Sequence, residues 1–185
     1  MRKAERTHDL SDHIRGLLSQ AWSPDELFAL RCELVEEFQR HGRHGEAEAV
    51  LHTEIEREPT EPFHSLRLAE HYHYYDVDLP RSLAFVSEAI AKAKSDGKFG
   101  YQALAVQARL AIEVHDWSLL EATLRDLAEY RHTPGNADVF PETDFLARIP
   151  AGVVPPSVVE AYVQRVEYLR SIGYSTMYGA RKAVP

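Results

Sequence analysis

Residues 28–61 read FALRCELVEEFQRHGRHGEAEAVLHTEIEREPTE, and this stretch decides the fold. With the residue before it, the first half places Leu27, Leu30, Leu34, Val35 and Phe38 at the spacing that lines one face of a helix. Gly42 ends that helix, because glycine takes the left-handed conformation that stops it. Arg40 and His41 lie in the last turn, where cations suit the negative end of the helix dipole. Gly45 completes a tight turn. A second helix, EAEAVLHTEIERE, carries Ala47, Val50, Leu51 and Ile55 on one face, and Pro59 ends it. Two helices folded back on a short connection are expected.

The pattern returns twice. Pro62 opens a second unit, where Ala69 and Tyr72 fall at the places of Val35 and Phe38. One extra residue in the DVDLP turn then brings Ser82, Leu83, Val86, Ala89 and Ile90 onto the second helix. After the connector SDGKFG, Tyr101 opens a third unit with Ala108, Ala111, Trp117, Leu120, Leu124 and Leu127, closed by Pro134. Units at about 28–61, 62–96 and 101–134, each about 34 residues long, resemble the tetratricopeptide repeat (TPR). Counted from Phe28, that family wants a small or apolar residue at the eighth place and an aromatic at the eleventh. Alanine follows at the twentieth, an apolar residue at the twenty-fourth and proline at the thirty-second. Val35, Phe38, Ala47, Leu51 and Pro59 stand there. The departures are the bulk of Val35, the lack of a second alanine at the twentieth place, and a proline at the thirty-second in the first unit alone. The resemblance implies an all-α fold, a right-handed α-α superhelix of TPR-like helix-turn-helix repeats over residues 24–134.

Such a stack needs both ends covered. A helix over residues 8–22, with Ile14, Leu17, Leu18 and Trp22 on one face, suits the first end. Ser23-Pro24-Asp25-Glu26 restarts the chain with an N-cap, a proline at the first helical position and acids in the first turn. Residues 135–156 are turn-rich and irregular. A helical turn is expected at about 142–147, with Phe140, Phe145, Leu146 and Ile149 pinned to the stack. Ser157 caps a last helix over 157–173, whose face carries Val158, Tyr162, Val166 and Leu169 with Val159 and Val163 beside it, and Gly173 stops it. A tail at 174–185 carries Arg181 and Lys182. All of this reads as one domain.

Composition narrows the function. The chain has 185 residues, 44% of them hydrophobic, and a net charge of −8. That balance argues against a nucleic-acid binder held by phosphates. No apolar run reaches the length of a membrane span, and the charged N-terminus lacks the apolar segment of a secretion signal. A single cysteine, Cys32, cannot form an internal disulfide, so a cytoplasmic location is expected. Residues 26–61 hold ten Glu and four Arg, read as a solvated helix face.

No catalytic, cofactor or metal site is expected. His71 and His73 point to different sides of a helix. Asp9 and His13 share a face but lack a third ligand. Asp76/Asp78 and Glu142/Asp144 fall in turns, where carboxylates cap backbone. In HYHYYD, Tyr72 belongs to the core by the repeat frame, while His73 and Tyr74 face outward. The resemblance implies a concave groove lined by the first helix of each unit. It assigns Cys32, Glu33, Glu36, Gln39 and Arg40 from the first unit and Arg67, Glu70, His73 and Tyr74 from the second. Gln102, Val106, Arg109 and Glu113 come from the third. Arg67 and Arg109 would anchor a carboxylate. Cys32 and Glu36 stand where chaperone-binding relatives carry Lys and Asn, so an acidic C-terminal peptide is not the favoured ligand.

The expected function is a non-catalytic module, a TPR-like scaffold or adaptor binding another protein or peptide. An immunity- or inhibitor-type partner of a toxin or enzyme is one alternative, and a metal-dependent hydrolytic enzyme another. Nucleic acid and membrane are not expected partners. A homodimer through the last helix stays open, as does a C-terminal segment folded back into the groove.

Overall fold

A computed structural model describes residues 2–20, 23–96, 99–130 and 143–172, with side chains except at 2–9 and 94–96. The described residues form only helices. They are α1 (Arg2–Leu18), α2 (Pro24–Arg40), α3 (His44–Arg57), α4 (Pro62–Tyr74), α5 (Leu79–Asp96), α6 (Gly100–Glu113), α7 (Trp117–Glu129) and α8 (Pro156–Ser171), with a 3-10 turn at Asp144–Arg148. The chain is therefore all-α over these residues. None of these helices is long and apolar enough to cross a membrane.

Local chemistry sets the boundaries. The Ser23 hydroxyl accepts from the Glu26 amide at 3.3 Å, and the Glu26 carboxylate accepts from the Ser23 amide at 2.9 Å. This reciprocal cap, with Pro24 at the first position, starts α2. Gly42 takes φ 69° and ends it. Asp116 caps α7 by accepting from Leu119 N–H at 2.9 Å. Several boundaries differ from the sequence reading. Helix α1 begins at Arg2 and ends at Leu18. Gly45 lies in the first turn of α3, not in the connection. Pro155 precedes α8, Pro156 is its first residue, and Ser157 is already helical with no capping bond. The helix pairs open at Pro24, Pro62 and Gly100, intervals longer than the 34-residue frame. Expectations for Trp22, Pro134, Phe140, Glu142, Gly173 and the 174–185 tail lie outside the described residues.

Each helix packs most closely on its neighbours in sequence. Side chains also link α2, α4 and α6 with matching ends together. Phe28, early in α2, meets Phe63, early in α4, at 5.6 Å between centroids, and Phe63 meets Phe99, just before α6, at 5.0 Å. At the far ends Gln39 meets His71 at 3.0 Å and His73 meets Glu113 at 2.8 Å. The three helices thus run the same way, side by side.

The buried residues fall into two clusters. One joins Ile14 of α1, Leu34, Val35 and Phe38 of α2, Ala47 and Leu51 of α3, and Leu68 and Tyr72 of α4. The other joins α4 to α8 and includes Ala69, Val86, Ala108, Ala111, Leu120, Leu124, Phe145, Tyr162 and Val166. Within it α6 is buried nearly all round, from Tyr101 through Ala105 and Val106 to Ile112. A helix apolar on every side belongs in an interior. The C-terminal segment supplies part of that interior, with Phe145 5.8 Å from Tyr162 between ring centroids.

The acidic first pair is not simply a solvated face. Glu37 and Glu54 are buried. Glu37 is paired with Arg40 and with His41 at 2.9 Å. Glu54 is paired with Arg31 at 2.7 Å and Arg57 at 2.5 Å. A buried carboxylate survives only with such partners.

Candidate functional site

Helices α2 and α4 leave a cleft of about 450 Å³ between their C-terminal halves. From α2 it takes Glu36, Gln39 and Arg40, and from α4 Arg67, Glu70 and Tyr74, with His71 and Tyr75 behind them. Residues three and four apart share a helix face, which is why Glu36 and Arg40 line one wall and Arg67, Glu70 and Tyr74 the other.

The walls are polar and internally held. Arg40 pairs with Glu37 and lies 4.0 Å from Glu36. The Arg67 guanidinium lies 5.9 Å from the centre of the Phe63 ring. Tyr74 presents the largest aromatic surface, 57% exposed. Burial raises the Glu70 carboxyl above its ordinary range, and the charges of Arg67, Arg109 and His73 oppose that rise. The cleft therefore holds a carboxyl that is costly to ionise beside a guanidinium.

His71 forms the back wall and is fully buried. Gln39 Nε2 lies 3.0 Å from His71 Nδ1, so the amide donates and the imidazole carries its proton on Nε2. That Nε2 faces Asp76 Oδ2 at 3.6 Å. Burial lowers the His71 pKa, with Asp76 acting against it. The ring stacks on Tyr75 at 5.7 Å and 27°. Next to it Tyr72 donates to Glu48 at 2.5 Å, and burial, then that carboxylate, pushes its phenol up to about 12.

The nine candidates from the sequence divide. Glu36, Arg40, Arg67, Glu70 and Tyr74 line the cleft together. His73 does not face outward: its side chain is 9% exposed and bonds Glu113 at 2.8 Å. Glu113 also lies 3.6 Å from Arg148 of the 3-10 turn. Gln102 and Arg109 are half-buried on α6 and do not line the cleft, and Val106 is buried. Among the described residues of the C-terminal segment, Arg148 thus lies against the end of α6. The sequence reading missed His71 and Tyr75 as cleft residues; the signal was their place in HYHYYD, one turn from Arg67 and Glu70.

Cys32 of α2 is half-buried, and burial raises its thiol pKa against the pull of Arg67, the setting of an unreactive thiol. Among the described residues no three His, Cys, Asp or Glu side chains stand together as a metal site. Comparison of the chain with protein-family models, with curated proteins and with solved structures finds no match.

Proposed function

We propose that the chain is a TPR-like, non-catalytic module that binds a peptide or protein segment in the α2–α4 cleft. The observation that carries this reading is the cleft itself. It is open, about 450 Å³, and lined by an exposed tyrosine and two arginines, the residue types that dominate binding energy at interfaces. Two facts support the repeat arrangement behind it: consecutive helices pack on one another, and α2, α4 and α6 lie with matching ends together. A right-handed superhelix of three pairs, capped by α1 and by α8 with its preceding turn, is the arrangement we infer. Side chains already fixed by ion pairs and stacking lose little freedom when a ligand arrives.

The test is selection of a random peptide library on the immobilised full-length protein. Enriched peptides should lose affinity about tenfold or more against Tyr74→Ala and against Arg67→Glu, as anchor residues do. Peptides that bind both variants as well as the wild type, or no enrichment above bare matrix, would remove the cleft from the function.

A further inference from the structure

The opposite ends of α2 and α4 have different chemistry. Phe28 of α2, Phe63 of α4 and Phe99 before α6 stand in a row, with neighbouring rings tilted by 58° and 44°. Rings at these angles form walls. They enclose a notch of about 270 Å³ with Glu58 and Glu61 on its rim. His64 lies behind them, 3% exposed and 6.0 Å from both Phe28 and Phe63. Its Nε2 has no hydrogen-bond partner. Buried polar atoms without partners are rare and call for an explanation. Phe99 is held at φ 55°, a region that side chains with a Cβ avoid, and such strain gathers at ligand sites.

The charged residues that line the notch, among those described, are both carboxylates, Glu58 and Glu61. Among the described residues the Glu61 carboxylate accepts the Phe63 amide alone, at 3.3 Å. Glu58 lies 3.6 Å from His64 Nε2. Neither has a lysine or arginine partner among the described residues. The faces of the aromatic rings add negative potential and attract a cation that arrives with apolar surface. The Arg67 guanidinium lies farther off, 5.9 Å from the centre of the Phe63 ring, and is not among the residues that line the notch. Phe28 remains 36% exposed, so the notch can be reached.

We propose that the notch receives an arginine side chain from a partner peptide. The planar guanidinium lies against the phenylalanine walls, its outer N–H groups pair with the Glu58 and Glu61 carboxylates, and one N–H meets His64 Nε2 as acceptor. Lysine, a more strongly hydrated point charge, suits a stacked site less well. The proposal rests on the peptide-binding reading of the α2–α4 cleft. Along α2, Phe28 and Arg40 stand about 18 Å apart at the helical rise, a distance that roughly five or six extended residues span. The notch and the cleft are thus close enough for one extended peptide to reach both.

Full-length protein carrying 4-fluorophenylalanine, with resonances assigned by Phe28→Leu, Phe63→Leu and Phe99→Leu, gives a direct readout by fluorine NMR. The probe is acetyl-Leu-Arg-Leu-amide, compared with the citrulline peptide, which has the same shape without the charge, and with the lysine peptide. The arginine peptide should shift the three notch resonances saturably. Citrulline should bind at least about tenfold more weakly, with lysine between them. The Glu58→Gln/Glu61→Gln variant, which leaves the aromatic walls intact, should also weaken arginine binding severalfold. Equal responses to arginine and citrulline, shifts at other phenylalanines only, or no saturable shift by about 10 mM would overturn the proposal. Library peptides that need Tyr74 yet bind the double glutamine variant unchanged would sink the notch and leave the cleft reading standing. An arginine peptide seated in the notch, with no library peptide needing Tyr74, would do the reverse.

Discussion

His71 shows what burial does to a single residue. Its ring is fully covered, bonded to Gln39 on one side and stacked on Tyr75 on the other. Burial holds its pKa below the ordinary value of 6.5, with the Asp76 carboxylate opposing. The sign of the consequence follows from linkage. As the pH falls below that ordinary value, the unfolded chain takes up a proton at His71 that the folded chain refuses. Stability is therefore complete above the unfolded pKa and is lost as the pH falls towards the folded one. One proton limits the slope to about 1.4 kcal/mol per pH unit. Glu70 acts in the opposite sense at lower pH, since its raised pKa makes the folded chain the better proton acceptor above 4.5. The two are separated by variants. Urea unfolding at about pH 7.5 and about pH 5.5 should show a smaller loss for His71→Gln than for wild type, in both the Glu70 and the Glu70→Gln backgrounds. An unchanged pH slope would mean that His71 is not held neutral.

At the scale of elements, the connections carry the irregular backbone. Val77 joins α4 to α5 at φ 53°, Phe99 precedes α6 at φ 55° and His115 precedes α7 at φ 57°. A β-branched residue in that region is strained by about 1–2 kcal/mol. Val77 is 72% exposed, so no packing offsets the cost. Val77→Gly should stabilise the protein by about 0.5–1 kcal/mol, the relief being partly cancelled by the entropy of glycine; a lower urea midpoint would mean that the turn needs the side chain. Much of this level was legible in the residues. Ser23 and Glu26 announce a capping box, Gly42 announces a left-handed stop, and the apolar faces of α2 to α8 follow helical spacing. Five of the nine candidate site residues share the cleft because i, i+3 and i, i+4 patterns put them on facing walls. The remainder depends on contacts between distant parts of the chain. Nothing near His73 announces Glu113, and nothing near Glu113 announces Arg148. The aromatic notch left a trace that the groove positions passed over: Phe28, Phe63 and Phe99 recur 35 and 36 residues apart, close to one per helix pair.

For the molecule as a whole, two buried clusters meet at α4. Leu68 and Tyr72 face the α1–α3 side, while Leu66 and Ala69 face the α5–α8 side. Phe85 touches both, stacking on Tyr72 at 5.6 Å and 22°. The α5–α8 side closes on itself through Phe145, Tyr162 and the encased α6, whereas the α1–α3 side is held at its end by Ile14 and by polar links such as Arg15 to Glu46 at 3.0 Å and Arg43 to Ser11 at 2.8 Å. Exposed ion pairs add little. Chains of helices stabilised by their neighbours open in segments, so the α1–α3 side should open at lower free energy than the α5–α8 side. Phe38 tests this, because it is buried and lies under both Arg15 and Arg43 at 5.2 and 4.5 Å from its ring centre. Phe38→Ala should cost about 3–5 kcal/mol where that ring packs. Native-state hydrogen exchange should then lose protection across α1, α2 and α3 while α6 and α7 exchange nearly as slowly as in the wild type. Equal loss in every helix would mean that the clusters unfold as one unit. Segmental loss would also place half of the proposed cleft, the α2 wall, on the softer side, so that ligand binding should slow exchange in α2 more than in α4.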